Sequence, residues 1–74
     1  MTRNAVFLLK EKIYLKHFKG NSSIELFKSA WAEYLGYLRG AIDDPEDESD
    51  IVNWIEQIIS VKVNNPKSKF YIYG

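Results

Sequence analysis

The stretch over residues 22–42 carries a helical repeat of apolar residues that constrains the fold more than any other part of the chain. Ser22, followed three residues later by Glu25, has the spacing of a capping box. Gly20 suits the end of a preceding helix. Apolar residues then recur every three or four positions, as on one face of an α-helix: Ile24, Phe27, Trp31, Leu35, Leu38 and Ile42. The sequence therefore predicts a long central helix with one buried face.

A further helix is predicted over residues 45–60. Asp44 can cap it, with Pro45 at the first helical position and acidic residues in the first turn. A cap at Ser49 or Asp50 is the alternative and would shorten the helix by one turn. We expect this helix to pack on the central one through apolar residues at helical spacing. The predicted contact joins Phe27, Trp31, Leu35 and Leu38 to Ile51, Trp54, Ile55 and Ile58.

Residues 5–18 fit either a helix or a hairpin that turns at residues 10–12. The helix is favoured because that turn lacks the Gly, Asn or Asp of a tight hairpin. As a helix, the segment would place these residues on one face: Phe7, Leu8, Tyr14, Leu15 and Phe18. Val61 and Val63 alternate with Lys62, and residues 69–73 are strand-like in composition.

The predicted fold class is all-α or mainly α, in a single domain over residues 1–74. Two or three helices would carry an extended C-terminal segment, residues 67–74, that is open to β-pairing. The alternative is an α+β fold with an N-terminal hairpin. No run of about 18 apolar residues is present, so we expect no membrane span.

Composition limits the chemistry that the chain can support. Cysteine is absent, which excludes disulfides and thiolate metal sites and fits a reducing compartment, so we expect a cytoplasmic protein. His17 is the single histidine, too few for a structural zinc site. It has no nucleophile or carboxylate beside it in sequence, and no catalytic motif is present. The sequence thus predicts neither an enzyme nor a bound cofactor or metal.

Association with another protein is expected, since 46% of this short chain is apolar and 15% aromatic. Ala32, Gly36 and Gly40 stand four apart on the central helix, beside Tyr37. Glycine is costly in a helix, by about 1 kcal/mol relative to alanine, unless something approaches the backbone closely. Either another helix of this chain crosses here, or Gly40 simply ends the helix, or a second subunit or partner helix approaches. Trp31 and Trp54 are likewise either core residues or interface anchors.

Charge is uneven although the net charge is zero. Residues 1–20 carry five cations against one acid, and residues 57–74 add Lys62, Lys67 and Lys69, whereas residues 43–56 hold seven acids and no base. The basic ends are therefore expected to lie near the acidic bend. Pro45 and the missing mid-loop glycine break the calcium-loop pattern. The acidic segment is therefore expected to be either a solvated loop or a docking face for a basic partner. The acids concerned are Asp43, Asp44, Glu46, Asp47 and Glu48.

The sequence favours a small protein-binding regulator, inhibitor or adaptor that self-associates. The alternative is single-stranded nucleic acid or RNA binding through lysines interleaved with aromatic rings. Those residues are Lys12, Lys16, Lys19, Lys67, Lys69, Tyr71 and Tyr73. The near-neutral pI of 6.6 argues against this alternative.

Overall fold

A computed structural model describes residues 1–72, which form four α-helices and one π-helix and contain no β-strand. The helices are α1 (Arg3–Phe7), α2 (Lys10–Ile13), α3 (Ile24–Gly40) and α4 (Glu48–Asn64), and the π-helix (Tyr14–Phe18) continues α2 directly. The predicted mainly helical fold class is confirmed. The alternative with an N-terminal hairpin is wrong, because residues 5–18 are helical apart from a turn at Leu8 and Leu9.

The central helix α3 begins one residue later than predicted. Ser23 is its N-cap, with the side-chain oxygen accepting a hydrogen bond of 3.1 Å from the backbone N–H of Leu26. The predicted cap at Ser22 is therefore wrong. Two adjacent serines can each fill this role, and Glu25 at the capping-box spacing favoured the first of them.

The helix α4 is shifted toward the C-terminus relative to the prediction of 45–60. Asp47 caps it, accepting a hydrogen bond of 3.0 Å from the N–H of Asp50, so the helix begins at Glu48. Caps at Asp44, Ser49 or Asp50 are therefore wrong. The helix also runs past residue 60, and the alternation of residues 61–63 is helix rather than strand.

The N-terminal segment packs through only part of the predicted face. Phe18 is buried and Tyr14 packs against the core as predicted, whereas Phe7, Leu8 and Leu15 are exposed. Val6 and Ile13 are buried in their place, because the turn at Leu8 and the π-helix both interrupt the period of 3.6 residues. Gly20 then reverses the chain with a φ of 90°, a conformation that favours glycine.

The core lies between α3, α4 and the N-terminal segment. Phe27 is fully buried, and its ring centroid lies 5.0 Å from that of Tyr14, 5.3 Å from Phe18 and 5.8 Å from Trp31. The helices α3 and α4 are antiparallel, since Tyr37 contacts Trp54 while Glu33 pairs with Lys62 farther along α4. Burial of each large side chain here contributes about 1.5–3 kcal/mol. The buried residues that α4 contributes are Ile51, Val52, Ile55 and Ile58.

The row of small residues on α3 is not an internal helix crossing. Gly36 and Gly40 are exposed, and within the described residues no atom outside their own turns of helix lies within 4 Å of where a side chain would begin. The predicted close approach by another helix of this chain is therefore wrong, whereas the alternative that Gly40 ends the helix is confirmed. Approach by a partner stays a prediction.

The C-terminal segment after α4 folds back on the end of that helix. Residues 65–72 form turns and irregular backbone, and the N–H of Ile72 donates a hydrogen bond of 3.0 Å to the carbonyl oxygen of Val63. Tyr73 and Gly74 lie outside the described residues. The β-pairing expected of residues 67–74 therefore stays a prediction.

Candidate functional site

An open groove lies where the C-terminal half of α3 meets the first half of α4. Its apolar lining, which we call the floor, consists of Tyr37, Ile42 and Trp54, beside the mostly buried Leu38. The Tyr37 and Trp54 rings come from different helices and lie 6.1 Å apart between centroids, tilted by 38°. The rim is acidic, and we call the whole the aromatic groove, with a volume of about 1030 Å³. The rim residues are Asp43, Asp44, Glu46 and Asp50.

The apolar side chains of the aromatic groove are largely exposed to solvent. The exposed fraction is 95% for Ile42, 54% for Tyr37 and 45% for Trp54. Single exposed apolar residues are ordinary, but a contiguous patch with a polar rim is typical of an interaction site. Tyr37 and Trp54 lie on different helices and their rings contact each other, so these two rings are held in place before any partner arrives.

The acidic rim is only partly neutralised by the chain itself. Arg3 pairs with Asp44 at 2.7 Å and also donates hydrogen bonds to the carbonyls of Ala41 and Ile42. Within residues 1–72, no cation lies within ion-pair distance of Asp43 or Glu46. A surplus of negative charge therefore remains around the aromatic floor.

Tyr34 is a buried residue that lines the groove near the rim residue Asp50. Burial raises the pKa of the Tyr34 phenol, and the nearby Asp50 carboxylate raises it further. The phenol therefore stays neutral at physiological pH. Asp50 accepts a hydrogen bond of 3.4 Å from the N–H of Glu46, which ties the acidic connection to the first turn of α4. The rim is thus built into the helix start.

A separate charge cluster surrounds Glu48 at the start of α4. Lys16 Nζ and His17 Nε2 lie 3.2 and 3.4 Å from its Oε2, and Lys12 Nζ lies 3.8 Å from Oε1. Hydrogen bonds from His17 and then Lys16 hold the pKa of Glu48 below its ordinary value, against a smaller opposing effect of burial. The expectation that the basic ends lie near the acidic bend is confirmed for the N-terminal segment. It is wrong for the C-terminal one, since Lys62 pairs with Glu33 and Lys67 and Lys69 follow the far end of α4.

Comparison with known protein families, curated proteins and solved structures found no match. The functional conclusion therefore rests on this chain's own residues. Within residues 1–72, no group of three or more His, Asp or Glu side chains is placed to hold a metal ion. No helix in the same part of the chain is long and apolar enough to cross a bilayer.

Five of the predicted partner-binding residues meet at one place. They line the aromatic groove: Tyr37, Gly40, Asp43, Asp44 and Glu46. Asp47 instead caps α4, and Glu48 faces the lysines of the N-terminal segment. Ala32 and Gly36 are exposed earlier on α3 and do not line the groove.

The residues predicted to contact nucleic acid fall into two separated sets. Lys12 and Lys16 lie against Glu48 at the first residue of α4, while Lys67, Lys69 and Tyr71 follow its far end. A helix of 17 residues is about 25 Å long, so α4 holds the two sets apart. Lys19 is exposed after the π-helix, and Tyr73 lies outside the described residues. Nucleic-acid binding stays a prediction.

Seven groove residues were not among the predicted site residues, and the three that matter most to its chemistry are Ile42, Asp50 and Trp54. The spacing of Trp54 matches that of buried Ile51, Ile55 and Ile58, which favoured the contact between helices over the alternative of an interface anchor. Trp54 instead lies at the edge of that face. Ile42 was predicted on the buried face of the central helix, which is wrong, since α3 ends at Gly40 and Ile42 is 95% exposed. The acidic residues and the proline that follow Ile42 were the signal that the helix stops early.

Proposed function

We propose that the chain is a small, non-catalytic protein-binding module, of the kind that serves as regulator, inhibitor or adaptor, and that the aromatic groove is its binding surface. The observation that carries this proposal is the pairing of exposed Tyr37 and Trp54 within a rim of carboxylates. The occupant that fits is a segment of a protein that combines apolar side chains with lysine or arginine.

The energetic reasoning follows from the residue types on the floor and the rim. Tyr and Trp are enriched among the residues that dominate binding energy, because they bury large rigid surfaces with little loss of conformational freedom. The face of Trp54 also attracts a cationic side chain. The carboxylates of the rim would accelerate encounter with a basic segment and repel an acidic one or a phosphate backbone.

The arrangement around His17 favours binding over catalysis. Its imidazole lies against Glu48, but it lines neither the aromatic groove nor the depression on the N-terminal segment. Glu48 is held ionised by two lysines and the histidine, and its lowered pKa makes it a poor proton acceptor. The cysteine-free composition supports a reducing location, for which we propose the cytoplasm.

The proposal is tested with two synthetic helical peptides of equal length and apolar content, one carrying lysines and the other glutamates at the polar positions. We expect the lysine peptide to bind and to shift the Trp54 emission to shorter wavelength, because the ring loses contact with water. Trp31, already buried, contributes a constant background. Isothermal titration calorimetry measures the affinity.

Matched variants test whether the peptide binds in the groove. The double variant Asp43→Asn/Glu46→Gln should weaken binding of the lysine peptide about tenfold, the equivalent of about 1.4 kcal/mol. Trp54→Ala should weaken it at least as much. Glu56→Gln removes an exposed acid of α4 outside the groove and should leave the affinity unchanged. Equal binding of both peptides, or equal binding by all variants, would reject the groove as the site.

A further inference from the structure

The apolar lining of the aromatic groove continues into a second depression between α3 and α4. This depression has a volume of about 170 Å³, enough for one side chain of the size of leucine or phenylalanine. Tyr37 and Trp54 line both depressions, so their ring pair lies where the two meet. We call the second one the seam depression, and its residues are Glu33, Tyr37, Trp54, Gln57, Ile58 and Val61.

The groove and the seam depression together form one surface along the two helices, which we call the seam strip. Val61 is 67% exposed at one end of it, and Ile42 is exposed at the other. Every residue that lines the strip belongs to α3, to α4 or to the connection between them. From Asp50 to Val61 the helix α4 rises about 16 Å, or three turns. The strip is therefore long enough for a short helix of a partner.

Charge is distributed unequally along the seam strip. The acidic rim lies at one end, where Asp43 and Glu46 have no cation within ion-pair distance among residues 1–72. At the other end Glu33 is paired with Lys62 at 3.1 Å. The end near Val61 is therefore apolar and close to neutral, and the strip attracts cations at the rim only.

The backbone of the occupant must suit an apolar surface that offers it few hydrogen bonds. Residues 1–72 contain no β-strand, so this part of the chain has no sheet edge to which an extended segment could add. An extended segment laid on Tyr37 and Trp54 would bury backbone N–H and C=O groups without partners, which is costly. A helix bonds these groups internally and presents apolar side chains every three or four residues along one face.

We propose that the occupant of the aromatic groove is an amphipathic α-helix of a partner protein that lies along the seam strip, with its lysine or arginine residues at the end over the acidic rim. This inference rests on the proposed function, since it gives the shape and the charge order of the partner of the same groove. One apolar side chain of the partner helix packs in the groove beside Ile42, and another packs in the seam depression beside Val61. The rings of Tyr37 and Trp54 stay in contact and separate these two side chains.

The test uses two synthetic peptides, both held helical by a cross-link between side chains. The long peptide has about fourteen residues, or ~21 Å of helix, with leucines along one face and lysines confined to one half. The short peptide is the lysine-bearing half alone. Isothermal titration calorimetry measures the affinity of each for the full chain.

Val61→Glu should weaken binding of the long peptide at least tenfold and leave that of the short peptide unchanged, because it places a charge where only the long peptide has an apolar side chain. Leu8→Glu is the matched control, since Leu8 is exposed and lies outside the seam strip; it should change neither affinity. Both substituted residues are exposed, so the helix content measured by circular dichroism should match the wild type.

A spin label on the long peptide tests the charge order in the wild-type protein. A label at the lysine-bearing end should broaden the NMR signals of the Ile42 methyl groups more than those of Val61. A label at the neutral end should do the reverse. Broadening in the opposite order, or equal broadening of both residues by both labels, would overturn the inference.

The outcomes distinguish failure of the inference from failure of the proposed function. If Val61→Glu leaves the affinity of the long peptide unchanged, the partner does not extend along the seam strip and the inference fails. If the short peptide then still binds, and Asp43→Asn/Glu46→Gln weakens it, the aromatic groove stands as a protein-binding site. If neither peptide binds the wild type, both proposals fail.

Discussion

At the scale of single residues, the two tryptophans show how position within a helix decides the role of a side chain. Trp31 lies on the middle of the buried face of α3, between Phe27 and Tyr34, and is 3% exposed. Trp54 occupies the edge of the buried face of α4, where its ring contacts that of Tyr37. The first therefore stabilises the fold, and the second is available to a partner.

Substitution of the two tryptophans should separate these roles. Trp31→Ala removes a buried ring and should cost about 3–5 kcal/mol of unfolding free energy. Trp54→Ala should cost about 1 kcal/mol or less, because its surface is already half in water. Urea denaturation followed by circular dichroism measures both. Since a domain of this size has only a few kcal/mol of stability, Trp31→Ala should be largely unfolded without denaturant. Equal costs would mean that Trp54 belongs to the core.

Glu48 provides a pH-dependent contribution to stability. Its pKa is lowered in the folded chain by His17 and Lys16, so the folded state favours the ionised carboxylate. The stabilising effect is complete above the ordinary glutamate pKa of about 4.3. It is lost as the pH falls through the lowered value of the folded state, because protonation then discharges the group in both states.

Glu48→Gln should therefore lower the thermal midpoint at neutral pH, and the difference from the wild type should shrink in acid below the lowered pKa. The measurement is a pair of melting curves for each protein, one at neutral pH and one in acid. Glu56→Gln is the control, since Glu56 makes no ion pair within residues 1–72. If the thermal midpoints of Glu48→Gln and the wild type differ equally at both pH values, the packing of residue 48 rather than its charge stabilises the fold.

At the scale of the helical elements, the long apolar periods were predictable and the ends of the helices were not. The buried face of α3 contains Phe27, Trp31 and Leu38 as the spacing predicted. Its first residue was misplaced because Ser22 and Ser23 can both cap. The start of α4 was misplaced because the run of acids around Pro45 offers several caps of similar quality. Choosing between neighbouring caps depends on tertiary contacts that no local pattern contains.

The buried face of the N-terminal segment and the residues that line the groove could not be predicted from local sequence patterns either. A period of 3.6 residues predicts one buried face, but the π-helix adds a residue to the turn and rotates the side chains beyond it. Leu15 is therefore exposed although the pattern buried it. The groove depends on which residues of two helices meet at their edges. Tyr37 and the acids could be named from sequence, whereas their meeting with Trp54 depends on the relative placement of α3 and α4.

The glycines of α3 and of the preceding turn make a matched test of backbone conformation. Gly36 lies in the helix interior, is exposed, and has open space where a methyl group would stand. Gly36→Ala should therefore raise the unfolding free energy by about 1 kcal/mol. Gly20→Ala should lower it by about 1 kcal/mol or more, because φ is 90° there. Thermal denaturation measures both changes, and a destabilised Gly36→Ala would reveal a close contact at that position.

At the scale of the whole molecule, basic and acidic residues are concentrated in different parts of the chain, and folding brings only some of them into ion pairs. Arg3 joins the N-terminus to Asp44 in the bend, and Lys62 joins the last turn of α4 to Glu33 of α3. These pairs are short, at 2.7 and 3.1 Å, and their side chains are partly exposed. Exposed pairs contribute little each, so the apolar core carries most of the stability, and the remaining charge is available between molecules.

Added salt should therefore act differently on folding and on association. The screening length falls from about 10 Å at 0.1 M to about 3 Å at 1 M ionic strength. Attraction between the acidic rim of the aromatic groove and the lysine peptide acts across water, and high salt should lower the association constant about tenfold. The urea midpoint should move much less, because buried residues such as Phe27 and Ile55 are indifferent to screening. Isothermal titration calorimetry with the lysine peptide and urea denaturation, both in the same sodium chloride series, measure the two effects. Binding that strengthens with salt would mean that apolar contact alone holds the peptide, and that the acidic rim does not contribute to its affinity.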